Sequence, residues 1–297
     1  MSQTLLVTGA SGQLGRRIVE LLLEAKGDDH IIATTRSPEK LADLADQGVE
    51  IRQADFEQPE ALVEALTGAD RLLIISTDAV DGTDRRINQH RNAVNAAEEA
   101  GVKHVIYTSL VRTEPGTPIL LAPDHYETEQ VMAASTMDWT VLRNNVYTDM
   151  FLFSLPHAVA TGQLFAAAGD GGVGYVTRED CARAAAAALK ATTEGRTTLD
   201  ITGPEVVTYA ELAQITSDIT GKPVTYIDLP PAEMVKGMVG AGFPEPVAEL
   251  LVSFQTATAQ GYLAVATDAV AELTGTPPQS VREFLVAHKE ALLASPS

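Results

Sequence analysis

Cysteine is nearly absent: the 297 residues hold one, Cys181. A lone cysteine closes no intramolecular disulfide, which fits a reducing compartment. No Cys-x-x-Cys or His-Glu-x-x-His cluster occurs, so a metal site has no motif behind it. Positive charge is also scarce. Twenty-one Lys and Arg stand against 40 Asp and Glu, a formal net charge of -19. Such a surface repels phosphate backbones and anionic lipid, which argues against nucleic acid and membrane as partners. No apolar run nears the roughly 18 residues that span a bilayer, and no basic stretch with an apolar core behind it opens the chain. A cytoplasmic location is the expectation.

What is present is a strong apolar fraction, 45% of the residues, enough for a sizeable core. The first half alternates short strands with helices. Strands are predicted at Thr4–Thr8, His30–Thr35, Glu50–Gln53, Arg71–Ile75, Lys103–Thr108 and Trp139–Arg143. Helices are predicted at Gln13–Ala25, Glu39–Gln47, Pro59–Leu66, Asp84–Ala100 and His125–Ala134. Near-continuous apolar strands such as Leu72-Leu73-Ile74-Ile75 belong to a sheet covered on both faces. The expectation is an α/β fold with a doubly wound parallel sheet over residues 1–150. A smaller, mostly helical lobe is expected over 151–297, with a strand near 197–202 returning to the main sheet. The helix Glu179–Ala191 carries the run Ala184–Ala188, read as a close-packing face. Thr177-x-x-Asp180 and Thr208-x-x-Glu211 fit capping boxes.

One segment carries chemistry. Leu5-Leu6-Val7-Thr8-Gly9-Ala10-Ser11-Gly12-Gln13-Leu14-Gly15 reads as strand, glycine-rich turn and helix. Glycines there make the turn, admit a pyrophosphate to the backbone and let the helix pack on the strand. The helix start then offers free N–H groups and a partial positive charge to phosphate. Strand two ends at Arg36, 21 residues past Gly15, with no acid at its end. An acid there selects NAD, whereas a guanidinium holds the 2′-phosphate of NADP. NADP(H) is therefore favoured, with NAD(H) the alternative and a plain surface arginine the competing reading of Arg36.

Together with Arg36-Ser37-Pro38, Gly48-Val49-x-x-x-x-Ala54-Asp55-Phe56, Gln89-His90-Arg91-Asn92, Ala100-Gly101-Val102-Lys103-His104, Tyr107-Thr108-Ser109 and Leu142-Arg143-Asn144, this opening resembles the NmrA-like atypical short-chain dehydrogenases. Among them it is most similar to bacterial quinone and triphenylmethane reductases. The resemblance extends to Glu211-Leu212-Ala213 and Gly221-Lys222-Pro223-Val224. It implies a Rossmann fold and NADP(H) on Gly9, Ser11, Gly12, Gln13, Leu14, Gly15 and Arg36. It places Asp55 and Phe56 beside the adenine, and Ser76, Thr77, Thr108 and Asn144 near the cofactor. It also implies a substrate cleft between the sheet's C-terminal edge and the lobe.

The catalytic candidates follow strand five. Ordinary short-chain dehydrogenases surround the substrate carbonyl with a Ser, a Tyr and a Lys four residues past the Tyr. Ser109 and Tyr126 are candidates here, but Gln130 stands at the lysine position. Tyr126 is either a hydrogen-bonding residue of the cleft or a helix residue facing the core, and Ser109 either a site residue or a turn cap. His125 is a minor candidate, more in keeping with a cap or surface residue. A quinone or a triarylmethyl cation needs less help than a ketone, because hydride addition restores aromaticity or neutralises a charge. The missing lysine thus favours reduction of a quinone or similar polycyclic aromatic, in detoxification or aromatic tailoring. A non-catalytic dinucleotide-binding redox sensor is the alternative. Tyr147, Met150 and Phe151 are candidate substrate residues. Phe153, Met234, Met238, Phe243 and Phe254 line the same expected cleft or belong to plain core. Arg112–Pro118 is a lid or a surface loop. A small aromatic substrate is the implied partner, and a homodimer stays open.

Overall fold

The computed structural model describes residues 2–81, 83–192 and 194–294. In chain order the first elements are β1 (Thr4–Val7), α1 (Gln13–Glu24), β2 (His30–Thr35), α2 (Ala42–Ala45), β3 (Glu50–Gln53), α3 (Pro59–Leu66), β4 (Arg71–Ile74), α4 (Arg85–Glu99), β5 (His104–Leu110), α5 (Ala122–Ala134) and β6 (Asp138–Asn144). The next are α6 (Phe151–Thr161), β7 (Gln163–Ala166), β8 (Gly172–Val173), α7 (Arg178–Lys190), β9 (Arg196–Ile201), β10 (Val207–Thr208), α8 (Tyr209–Thr220), β11 (Thr225–Asp228), α9 (Pro231–Gly240) and α10 (Glu245–Ala259).

The chain forms two compact units, each discontinuous in sequence. The first holds Met1–Leu110, Asp124–Asn144 and Cys181–Leu199, and the second Val111–Pro123, Asn145–Asp180 and Asp200–Ser297. In the first, a parallel sheet has the order β3-β2-β1-β4-β5-β6-β9, flanked by helices. The direction of winding reverses between β1 and β4, the switch point where ligands of open α/β sheets bind beyond the strands' carboxyl ends. The central strands explain why the sheet is parallel: β4 and β5 are buried at every position, so helices must cover both faces. On one face Leu62 and Leu66 of α3, Ala93 and Val94 of α4, and Met132 of α5 pack with Leu72, Ile74 and Val105. Burying each Leu or Ile contributes about 1.5–3 kcal/mol.

The polyalanine run does pack: Ala184, Ala185, Ala186 and Ala188 are buried, and Arg71 donates to the carbonyls of Ala188 and Leu189 at that helix's end. Expected and observed ends differ mostly by one or two residues. The predicted helix Glu39–Gln47 is instead a 3-10 turn, Pro38–Leu41, followed by the single turn of α2.

In the second unit, β10 pairs antiparallel with β8, and β11 runs parallel to β7. These two small sheets were not expected among the helices. Thr208 and Glu211 form a complete capping box, and Ser280 with Glu283 forms another. Thr177 accepts the amide of Asp180 at 2.9 Å and donates to its carboxylate at 2.7 Å.

Candidate functional site

The glycine turn joins β1 to α1. Gly9 has φ +61°, a left-handed backbone that an L side chain rarely adopts. At Gly15 an added Cβ would lie 2.5 Å from the Gly9 carbonyl oxygen, so the third glycine is what lets the helix sit on the turn. At Gly12 the same distance is 3.3 Å. Gly12 is the N-cap of α1 and has no side chain to accept from the first-turn amides, and that turn carries no acidic residue. Ser11, Gly12 and Gln13 are exposed and Leu14 is half-buried, so the helix start faces outward with donors and no anion. This is the environment a pyrophosphate needs.

Neighbouring strand ends brace the turn. Ser11 Oγ and Thr35 Oγ1 share a hydrogen bond of 2.8 Å, and the amide of Ser37 donates to Thr35 Oγ1 at 3.1 Å. Arg36, between them, is exposed, and its guanidinium has no ion pair among the described residues. Asp55 accepts the Glu57 amide at 3.0 Å, and Phe56 packs half-buried against the core beside it. The amide of Ile75 donates to Thr8 Oγ1 at 3.0 Å. That of Ser76 donates to Thr108 Oγ1 at 2.9 Å, and Thr108 in turn donates to Ser76 Oγ at 3.4 Å. Arg36, Asp55, Ser76, Thr77 and Thr108 thus all stand at carboxyl ends of β2 to β5, along with the glycine turn after β1. Asn144 is buried at the end of β6, in register with Leu110.

A family model described as NAD(P)H-binding matches residues 9–192. Quinone oxidoreductase 2 of Escherichia coli is 36% identical over 93% of this chain and 96% of that protein. An NmrA-like family domain-containing oxidoreductase of Aspergillus flavus is 31% identical over 96% of each. The chain belongs to the NAD(P)H-binding family, in its NmrA-like branch. Among solved structures, the E. coli NADPH-dependent quinone oxidoreductase complexed with NADPH has a TM-score of 0.90, covering 96% of this chain and 99% of that one at 36% identity. The triphenylmethane reductase of Citrobacter sp. complexed with NADP(H) has a TM-score of 0.89 at 37% identity, covering 95% and 99%.

Ser109, near the end of β5, sits in a polar cluster of its own. Its hydroxyl donates to Glu129 Oε1 at 2.5 Å, and Arg143 grips the same carboxylate through Nε at 3.0 Å and Nη2 at 2.6 Å. Tyr126 is half-buried and Gln130 exposed, and neither forms a hydrogen bond with Ser109 among the described residues. The polar side chain of α5 turned toward Ser109 is Glu129, which lies outside the Tyr-x-x-x-Lys pattern. A cue existed in the sequence: Glu129 lies three residues past Tyr126, on the same helical face.

His125 is neither cap nor surface residue. It is 4% exposed, inside a buried polar cluster with Arg86, His90, Tyr107 and Thr128. The Thr77 amide donates to His90 Nε2 at 3.0 Å, which puts the ring hydrogen on Nδ1, facing Thr128 Oγ1 at 3.0 Å and the Tyr107 oxygen at 3.2 Å. Arg86 Nη2 can only donate, and it meets His125 Nε2 at 3.0 Å. His125 Nδ1 therefore carries hydrogen toward the Tyr107 oxygen, 2.8 Å away. Both imidazoles are neutral. Burial first, and then the Arg86 charge, holds His90 down to about 3 and His125 well below the ordinary histidine value. Burial pushes the Tyr107 phenol up. The cluster anchors Thr77, so it braces one wall of the candidate dinucleotide site from behind.

The candidate acceptor residues lie in the second unit. Tyr147 is half-buried with the Arg178 guanidinium 5.2 Å over its ring, and Arg178 pairs with Asp149 at 3.1 Å. Met150 is exposed, and Phe151 is buried with its ring 4.7 Å from that of Tyr175. Phe153 is 80% exposed and Phe243 is exposed, whereas Met234, Met238 and Phe254 are half-buried. In the Arg112–Pro118 loop, the Gly116 carbonyl accepts from Tyr262 at 3.1 Å.

Proposed function

We propose that this NAD(P)H-dependent oxidoreductase uses NADPH to reduce a quinone or a similarly electron-poor polycyclic aromatic. The observation that carries the reading is the hydrogen bonding around Ser109. The hydroxyl is engaged by Glu129, and no ammonium stands four residues past Tyr126. The machinery that protonates a localised alkoxide is missing, so the acceptor must be one whose reduced form delocalises its charge. The relatives that reduce quinones and triarylmethane dyes act on this class.

In this reading Gly9, Ser11, Gly12, Gln13, Leu14 and Gly15 hold the pyrophosphate, and Arg36 holds the 2′-phosphate as a charge-assisted donor pair. Asp55 and Phe56 flank the adenine. Ser76, Thr77, Thr108 and Asn144 meet the nicotinamide half, which supplies a hydride when bound. Tyr126 orients the acceptor's oxygen, whereas Phe151, buried against Tyr175, presents no surface to a ligand. Detoxification or tailoring of an aromatic product would each use this chemistry.

The test is steady-state oxidation of NADPH and NADH with a panel of quinones, triarylmethane dyes and simple ketones. Turnover with quinones or dyes and NADPH, with ketones inert, is expected. Tyr126→Phe should lower kcat by less than tenfold, below the roughly 10²–10⁴ that general acid catalysis supplies. Tight dinucleotide binding without turnover on any acceptor would overturn the reading.

A further inference from the structure

We propose that Ser109 meets its ligand as a hydrogen-bond acceptor, with Glu129 and Arg143 as the positioning pair that fixes its hydroxyl hydrogen. This rests on the reading above, in which the end of β5 faces the dinucleotide. Ser109 and Arg143 are direct neighbours in the register of β5 and β6, and Glu129 reaches them from α5. The carboxylate is 9% exposed and the guanidinium 16%. A guanidinium in a two-point grip donates every hydrogen it aims, so both Glu129 oxygens are acceptors.

A serine hydroxyl has one hydrogen and two lone pairs. The hydrogen of Ser109 is committed to Glu129 Oε1, in a charge-assisted bond about twice as strong as a neutral one. What Ser109 has left to offer is a lone pair. An acceptor's carbonyl oxygen would meet it lone pair to lone pair, so Ser109 cannot polarise that carbonyl. A ligand group that suits it brings its own N–H or O–H. Two sources have that chemistry: the carboxamide N–H of the nicotinamide ring, and a hydroxyl of the aromatic acceptor. The proton that a reduced acceptor oxygen collects then comes from Tyr126 or water, not from Ser109.

Two substrate pairs separate the sources. Reduced 3-acetylpyridine adenine dinucleotide phosphate replaces the ring amide by a methyl ketone and has no N–H there. A hydroxynaphthoquinone and its methyl ether differ by one O–H. Dinucleotide binding is measured by fluorescence titration without any acceptor, so this arm still reads if the enzyme reduces no quinone. The wild type should prefer the donor-bearing member of one pair by about three- to tenfold, the worth of one neutral hydrogen bond. Ser109→Ala should erase that preference, and Ser109→Thr should keep it. Glu129→Ala, which removes the acceptor of the serine hydrogen, should erase it with Ser109 still in place. Loss in the dinucleotide pair names the carboxamide as the donor, and loss in the quinone pair names the acceptor's hydroxyl. With an acceptor lacking hydroxyls, kcat of Ser109→Ala should stay within tenfold of wild type. A preference for neither member in wild type, or one that survives both Ser109→Ala and Glu129→Ala, overturns the proposal. So does a kcat loss in Ser109→Ala of a hundredfold or more, which is the signature of a proton donor.

Discussion

Arg36 and Gly15 would serve the proposed dinucleotide site in two different ways. Arg36 is exposed, its carbonyl accepts from the Gln53 side chain at 3.5 Å, and its guanidinium forms no ion pair among the described residues. Its guanidinium is free to hold a phosphate. Arg36→Asp should therefore weaken NADPH by about one to two decades while leaving NADH little changed, since a charge-assisted contact contributes roughly 1.5–3 kcal/mol. Titration of both dinucleotides checks this, and equal losses for the two would show that Arg36 does not read the 2′-phosphate. Gly15 acts through packing. A Cβ there meets backbone at 2.5 Å, which no rotamer change relieves, so Gly15→Ala should lower both thermal stability and dinucleotide affinity. At Gly12 the space is wider and the residue is exposed, so Gly12→Val should abolish binding by blocking the pyrophosphate while the far-ultraviolet circular dichroism stays near wild type.

Between β4, α4, β5 and α5 the buried cluster of Arg86, His90, Tyr107, His125 and Thr128 sets how these elements respond to acid. His90 is held at about 3, and His104, bonded to Thr140 on the neighbouring strand, at about 4, in both cases chiefly by burial. Both values lie below the ordinary 6.5. The unfolded chain therefore binds protons that the folded chain refuses, and folding stability is complete above pH 6.5 and falls as pH drops toward 4 and then 3. Each pH unit of depression corresponds to about 1.4 kcal/mol lost on full acidification. Urea midpoints measured from pH 7.5 to 4.5 should decline, and His90→Gln should flatten the decline, because Gln keeps an acceptor for the Thr77 amide and does not titrate. An unchanged slope would remove His90 from the account. Thr77 depends on this acceptor, so His90→Leu should weaken NADPH more than His90→Gln does.

At the scale of the whole molecule the excess of acid is the dominant electrostatic fact. A net charge of -19 repels itself, and the repulsion reaches as far as salt permits, about 30 Å at 0.01 M and about 8 Å at 0.15 M. The midpoint of thermal unfolding should rise between those two ionic strengths, as scanning calorimetry will report. NADPH brings further negative charge to this surface. Salt screens that repulsion as well as the proposed Arg36 contact, so NADPH affinity should change by less than about tenfold between those two ionic strengths. Saturating NADPH, which binds only the folded chain, should add about 2.7 kcal/mol at a hundredfold excess over Kd.

The fold class, the glycine turn between β1 and α1 and the place of Arg36 at the end of β2 were legible in the sequence because each is a local pattern. Apolar runs of four or five residues, glycines at fixed offsets and a residue at a strand end need no distant partner to be read. The capping box at Thr208 is equally local, since its geometry closes within four residues. Only the tertiary structure decided what surrounds Ser109, because Glu129 lies 20 residues away and Arg143 on the next strand. The same holds for His125, which its expected position at a helix start marked as a cap or surface residue. Packing α4 and α5 over β5 buries it with Arg86, 39 residues distant. A side chain's hydrogen-bond polarity and its charge are set by whatever the fold brings alongside. Those neighbours arrive through sheet register and helix packing, which local sequence pattern does not encode.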